Sequence, residues 1–176
     1  MYPFVHLHVH SQYSLLDGQA SIQRLIDKAV GDGMKALALT DHGVMYGIKE
    51  FLNYAGKKNA PVNAEIKKIK KEISDLERSG AGGTGRPGDK ETGGLGNLEA
   101  GGPGDEGTEG KVAQLRQKLA ETESKLFKPI VGCECYLARR GRHLQSEKID
   151  GSGWHLVVLA KNLQGYKNLI KMVSKS

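Results

Sequence analysis

Histidines occupy alternate positions near the start of the chain, in Phe4-Val-His-Leu-His-Val-His10, and Asp17 follows. On a β-strand, alternate side chains share a face, so His6, His8 and His10 would project together, with Val5, Leu7 and Val9 opposite. Three imidazoles on one side of an apolar strand are costly to bury unless something uses them. Neutral imidazole is the commonest nitrogen ligand of divalent metals, so a metal is the expected user. His6 is the weakest of the three. At 3.3 Å per residue it lies about 7 Å behind His10 along the strand, and packing is its expected role.

Further nitrogen and oxygen donors stand where apolar runs end. Asp17 lies in the Ser14-Leu-Leu-Asp-Gly18 turn, and Thr40-Asp-His-Gly43 abruptly closes the apolar run that starts at Ala36. Glu134 is a lone carboxylate inside Ile130-Val-Gly-Cys-Glu-Cys-Tyr-Leu137, costly there unless paired or metal-bound. His155 opens Trp154-His-Leu-Val-Val-Leu-Ala160. Each has a plainer reading alone: Asp17 as a turn residue, His155 as a structural histidine, Glu134 as the partner of an arginine such as Arg139. Asp41 could cap the following turn, orient His42 from behind or relay a proton. Together, His8, His10, Asp17, His42, Glu134 and His155 exceed the four ligands of a structural zinc, which implies two or three metals. Closely spaced metals suit the hydrolysis of phosphate esters. Cys133 and Cys135 are spaced too tightly for a zinc knuckle and badly for a mutual disulfide. They are expected to pack opposite Glu134 as small hydrophobes.

The elements that must position these donors follow from periodicity. Strands are expected at about 3–9, 36–40, 130–137 and 155–160. Ser21 can cap a helix carrying Ile22, Leu25, Ile26 and Ala29, with Gly31 or Gly33 ending it. A second helix starts near Gly47 with Ile48, Phe51, Leu52 and Ala55 inward, and a last one spans 163–173 with Tyr166, Leu169, Ile170 and Val173 inward. Apolar strands joined by amphipathic helices predict an α/β fold with parallel strands.

A helical hairpin interrupts that pattern. Ile66, Ile69, Ile73 and Leu76 form one seam, and Val112, Leu115, Leu119, Thr122 and Leu126 another, predicting helices over 62–79 and 111–127. Lys67, Lys68, Lys70 and Lys71 are nearly cancelled by Glu65, Glu72, Asp75 and Glu77, which reads as a solvated surface rather than a nucleic-acid patch. The tip, 80–110, holds more than half of the 24 glycines and is expected to be a flexible loop. It has no preceding strand and no Gly-Lys-Ser/Thr ending, so it does not read as a phosphate loop. The expected division is 1–61, an insertion over 62–126, and 127–176. About 110 residues outside the insertion support about four βα units, against about 250 residues for a closed eight-fold barrel.

The formal charge of +6 permits nucleic acid as a partner without demanding it, and aromatics at 6% do not indicate a base-stacking platform. No apolar run is long enough to span a membrane, and the start does not read as a signal peptide. Two unpaired cysteines fit a cytoplasmic, reducing compartment.

His8-Val-His10-Ser, Ser14-Leu-Leu-Asp-Gly18, Thr40-Asp-His-Gly43, Gly132-Cys-Glu-Cys-Tyr136 and His155-Leu-Val-Val-Leu-Ala-Lys161 resemble the polymerase-and-histidinol-phosphatase (PHP) domain family. The segment Phe4 to Gly18 and Gly165-Tyr-Lys-Asn-Leu-Ile-Lys-Met-Val-Ser174 are similar to the PHP domains at the amino end of bacterial replicative DNA polymerases, the DNA polymerase III alpha class. The resemblance covers about 1–60 and 127–176, and the hairpin is like an insertion in some members. It implies a partial, TIM-like, distorted seven-stranded βα barrel holding up to three divalent metals, Zn2+ or Mn2+. By that resemblance His8 and His10 are the first ligand pair, Asp17 and His42 the next two, Glu134 the bridging carboxylate and His155 the histidine on the following strand. The family pattern adds a further His or Cys and a late Asp-x-His, which these 176 residues lack. The chain is therefore expected to be truncated and poorly stable alone, with open strands. The parent would be a DNA-directed DNA polymerase using Mg2+ in its polymerase domain and working with DNA, a sliding clamp and a proofreading subunit. This portion would not polymerise. It would be a 3′–5′ exonuclease or a scaffold for the proofreading subunit. A stand-alone PHP phosphoesterase is the rival expectation.

Overall fold

The computed structural model describes residues 4–80, 106–144, 146 and 153–176. The elements run α1 (Ile22–Gly31), β1 (Ala36–Leu39), α2 (Ile48–Gly80), α3 (Glu106–Glu123), β2 (Lys128–Leu137), β3 (Trp154–Leu159) and α4 (Leu163–Val173). The chain divides into two units. One comprises the residues up to Ala60 together with Leu126–Ser176, and the other is Pro61–Lys125.

In the first unit β2 is the central strand. β1 pairs with it in parallel, from Ala36↔Lys128 to Leu39↔Val131, and β3 pairs with it antiparallel, from Gly132↔Leu159 to Leu137↔Trp154. The sheet is thus small, mixed and open. This corrects the all-parallel expectation, and the described residues do not close a seven-stranded barrel. A parallel return needs a crossover, usually a helix, and residues 138–144 after β2 form none.

The histidine segment is a second correction: the described part of the expected 3–9 strand is extended but not a regular strand. The Ala38 N–H donates to the His6 carbonyl and the Thr40 N–H to the Val9 carbonyl, both at 2.9 Å. Three residues on one side therefore match two on β1, so one extra residue interrupts the ladder as a bulge does. The Val9 N–H is taken by the Thr40 hydroxyl at 2.9 Å instead of a carbonyl. The strict alternation of His6, His8 and His10 does not survive this irregularity.

Helices cover the sheet because their apolar faces have nowhere else to go. Ile22, Ile26 and Ala29 of α1, Leu37 and Leu39 of β1, Ile48, Phe51 and Ala55 of α2, and Phe127 form the core. The Ser21 hydroxyl accepts the Arg24 N–H and caps α1, and the Asn162 side chain accepts the Gly165 N–H and caps α4. Leu52 and Ile170, expected to face inward, are 39% and 40% exposed.

The second unit is an antiparallel helix pair. Lys70 meets Glu123 at 2.9 Å and Glu77 meets Arg116 at 3.0 Å, so seven residues forward on α2 match seven back on α3. Ile66, Ile69, Ile73 and Thr122 are buried in the seam. The boundaries differ from those expected. α2 runs unbroken from Ile48 through Pro61 to Gly80, and α3 starts at Glu106 and ends at Glu123. Of the expected glycine loop, Gly80 and residues 106–110 are helical, and 81–105 lie outside the described residues.

Candidate metal centre

Glu134 is placed by its backbone. Its N–H donates to the Asp41 carbonyl at 3.1 Å and its carbonyl accepts the Gly43 N–H at 2.8 Å, so β2 holds the segment that carries His42. Two positions earlier, a Cβ on Gly132 would lie 2.7–2.8 Å from the Leu159 side chain, Thr40 Cγ2 and the Val158 carbonyl. Only glycine lets β2 pass between these neighbours. The loop from Ser11 to Gly18 brings in Asp17. A Cβ on Gly18 would sit 1.9 Å from the Ser11 carbonyl oxygen, so this loop closes only on glycine. Ser14 holds it from inside: its hydroxyl donates to Asp17 Oδ1 and accepts the His42 N–H at 3.0 Å.

These constraints converge on one carboxylate. Glu134 is 2% exposed. Its Oε2 lies 2.8 Å from His10 Nε2, 3.4 Å from His8 Nε2 and 3.4 Å from His42 Nδ1, while His155 Nδ1 lies against Oε1. Asp17 spans the other side, with Oδ1 2.9 Å from His10 Nδ1 and Oδ2 3.2 Å from His42 Nδ1. The donors form two triads that share Glu134: His8, His10 and Glu134, and Asp17, His42 and Glu134, each with its ligand atoms within 4.8 Å of one another.

The donor set fits divalent cations. The distances to Glu134 Oε2 would suit ion pairs, yet this buried oxygen makes no directed hydrogen bond. With the His10 Nδ1–H assigned to Asp17, Nε2 of a neutral ring turns a lone pair toward Oε2. His8 Nε2 faces the same atom of His10 at 3.0 Å. A lone pair turned toward an unsatisfied carboxylate oxygen is an arrangement that a cation relieves. Asp17 is suited to stay ionised: the Ser14 hydroxyl, helped by His10 and His42, holds its carboxyl below the usual range against a smaller opposing effect of burial.

The remaining candidates are placed as follows. The Asp41 carboxylate accepts the Ser11 N–H at 2.6 Å and the Ser11 hydroxyl at 3.0 Å, and His42 Nδ1 faces Asp17 instead. Burial raises the Asp41 carboxyl above its ordinary value, and the Ser11 bonds oppose that rise. His6 is exposed, edge-on to Phe4 at 4.7 Å, and outside both triads. Arg139 stands over Trp154 at 5.7 Å rather than against Glu134. Cys133 is fully buried, its thiol pushed up to about 12 mainly by that burial, and it is no candidate thiolate ligand. Ser11, Ser14 and Tyr136 were not singled out from sequence. Tyr136, two residues beyond Glu134 on a strand, carried the one usable signal, because that spacing puts both on one face.

The family model described as "PHP domain" matches residues 6–71 and 106–176. This chain belongs to the PHP-domain family. The chain is 33% identical over 174 residues to the DNA polymerase III subunit alpha of Treponema pallidum, and 31% identical over 174 residues to that of Borreliella burgdorferi. Each match covers 98% of this chain and 9% of the relative. The same subunit of Buchnera aphidicola subsp. Schizaphis graminum is 54% identical over 54 residues, 31% of this chain and 5% of that protein. The chain thus spans about a tenth of the length of the curated relatives it matches. Among the described residues, no helix is long and apolar enough to cross a membrane.

Proposed function

We propose that this PHP domain belongs to a bacterial replicative DNA polymerase of the DNA polymerase III alpha class and supports 3′–5′ exonuclease chemistry at a binuclear metal centre. His8, His10 and Glu134 would hold one ion and Asp17, His42 and Glu134 the other, with His155 flanking Glu134. The ions are Zn2+ or Mn2+, which suit a mixed imidazole and carboxylate shell. The observation that carries the reading is the buried Glu134 Oε2, with three imidazole nitrogens within 3.4 Å and no hydrogen bond.

Bound divalent cations supply Lewis acidity and a lowered pKa of water, the requirements for cutting a phosphodiester. The chain's own residues do the positioning. Asp17 accepts the His10 Nδ1–H and so fixes the tautomer that leaves Nε2 free. The Ser14 hydroxyl fixes Asp17, and Asp41 fixes Ser11 directly after His10. The polymerase reading is supported by relatives of that name matching 98% of the chain. Its partners would be DNA, a sliding clamp and a proofreading subunit, with Mg2+ serving polymerisation in the cytoplasm.

The test is metal content and 3′–5′ exonuclease activity of the full-length protein, with and without H8A/H10A. The expected result is about two metal ions per chain and loss of the exonuclease in the double variant, with polymerisation retained. No bound metal together with unchanged exonuclease activity would overturn the reading.

A further inference from the structure

Tyr136 lies two residues beyond Glu134 on β2 and directly opposite His155 on β3. All three therefore share the face of the sheet that carries the metal centre. The Tyr136 ring is 4.9 Å from the His42 ring and 4.7 Å from the His155 ring, and those two imidazoles are 5.4 Å apart. The contact with His155 is edge-to-face at 89°, and that with His42 is tilted at 59°. These are favourable aromatic geometries, and they oppose rotation of either imidazole. Both imidazoles present Nδ1 to Glu134 from opposite oxygens, His42 to Oε2 and His155 to Oε1.

We propose that Tyr136 is a positioning residue of the metal centre: its ring packs against both His42 and His155 and keeps both Nδ1 atoms turned toward Glu134. The inference rests on the binuclear reading above and adds an asymmetry to it. Tyr136 touches an imidazole of the Asp17–His42–Glu134 triad, whereas its described ring contacts include neither His8 nor His10. Losing these ring contacts therefore weakens one metal site and spares the other. The contacts are made by the ring and not the hydroxyl, so phenylalanine serves as well as tyrosine. Tyr136 is 52% exposed, and removing its ring opens no cavity in the core.

The experiment is a Co2+ titration of the metal-free full-length protein by calorimetry and visible absorption, comparing wild type, Tyr136→Leu and Tyr136→Phe, with the Tm of each metal-free protein alongside. The expected result for Tyr136→Leu is about 10-fold weaker binding of one Co2+ equivalent, the other held within about 2-fold, and an unchanged metal-free Tm. Tyr136→Phe restores the wild-type titration. Wild type taking up two equivalents with Tyr136→Leu identical overturns the role of Tyr136 and leaves the binuclear reading standing. Wild type taking up none removes both. Equal weakening of both equivalents with a lowered metal-free Tm assigns Tyr136 to general folding, and Tyr136→Phe behaving like Tyr136→Leu assigns the effect to the hydroxyl. Either result overturns the positioning role of the ring.

Discussion

Asp41 ties together the two segments that carry most of the imidazoles. Its carboxylate takes both donors of Ser11, directly after His10, and its carbonyl accepts the Glu134 N–H, directly before His42. It is 1% exposed, so its bonds have no water to replace them. Asp41→Ala leaves the Ser11 N–H unpartnered in a buried place, and the expected cost is about 2 kcal/mol in urea denaturation of the metal-free protein. Asp41→Asn keeps an acceptor for that N–H and removes a buried charge, so its expected loss is below about 1 kcal/mol. Equal stability of Asp41→Ala and wild type would contradict this account. The side chains that gather at the candidate centre were legible one by one, since a carboxylate between Cys133 and Cys135 or an Asp-His pair after Ala-Leu-Ala-Leu is conspicuous where it stands. Which group orients which was not. Neighbours on an extended segment point to opposite faces, so Asp41 turns away from His42, and the partner of His42 is Asp17, 25 residues away.

At the scale of elements, α2 shows what periodicity can and cannot say. Its first buried face is Ile48, Phe51 and Ala55, and its later one is Ile66, Ile69 and Ile73. Two apolar faces with Pro61 between them read as two helices, but the backbone runs through as one. Proline removes one N–H from the ladder and crowds the carbonyl four residues back, that of Lys57, at a cost of about 3 kcal/mol in a helix interior. Pro61→Ala is therefore expected to protect the amides around 57–62 at least about 10-fold better in hydrogen exchange. Unchanged or weaker protection would show that the helix has already relaxed around the proline. α1 was legible because a cap, an apolar face and a stop coincide in a short stretch, and β1 and α4 because an apolar run and a helical apolar period stand out on their own. The irregular path of the histidine segment was not, because its cause is the Thr40 hydroxyl, 31 residues from the Val9 N–H that it captures. The antiparallel placement of β3 is a choice of sheet edge, which an apolar strand sequence does not encode.

For the whole molecule, the division into units separates the candidate site from the hairpin. His8, His10, Asp17, Asp41, His42, Glu134, Tyr136 and His155 all belong to the first unit, although Pro61–Lys125 interrupts it in sequence. The ends of that interruption are already joined inside the first unit. The Asn59 side chain donates to the Phe127 carbonyl at 2.8 Å and accepts the Phe127 N–H at 2.9 Å, as a backbone pair would. Phe127 is itself part of the first unit's core. Replacing 61–125 with a short Gly-Ser linker therefore asks the chain to span a gap that two hydrogen bonds already close, and a shorter loop lowers the entropy of closing it. The expected outcome in the full-length protein is unchanged Co2+ stoichiometry and affinity within about 2-fold, since every donor and both bonds of the Asn59 clamp remain. Loss of one or both Co2+ equivalents in a deletion variant with intact secondary structure by circular dichroism would show that the hairpin supports the centre. Such a loss would contradict the independence argued from the clamp and the separate seam of Ile66, Ile69 and Ile73.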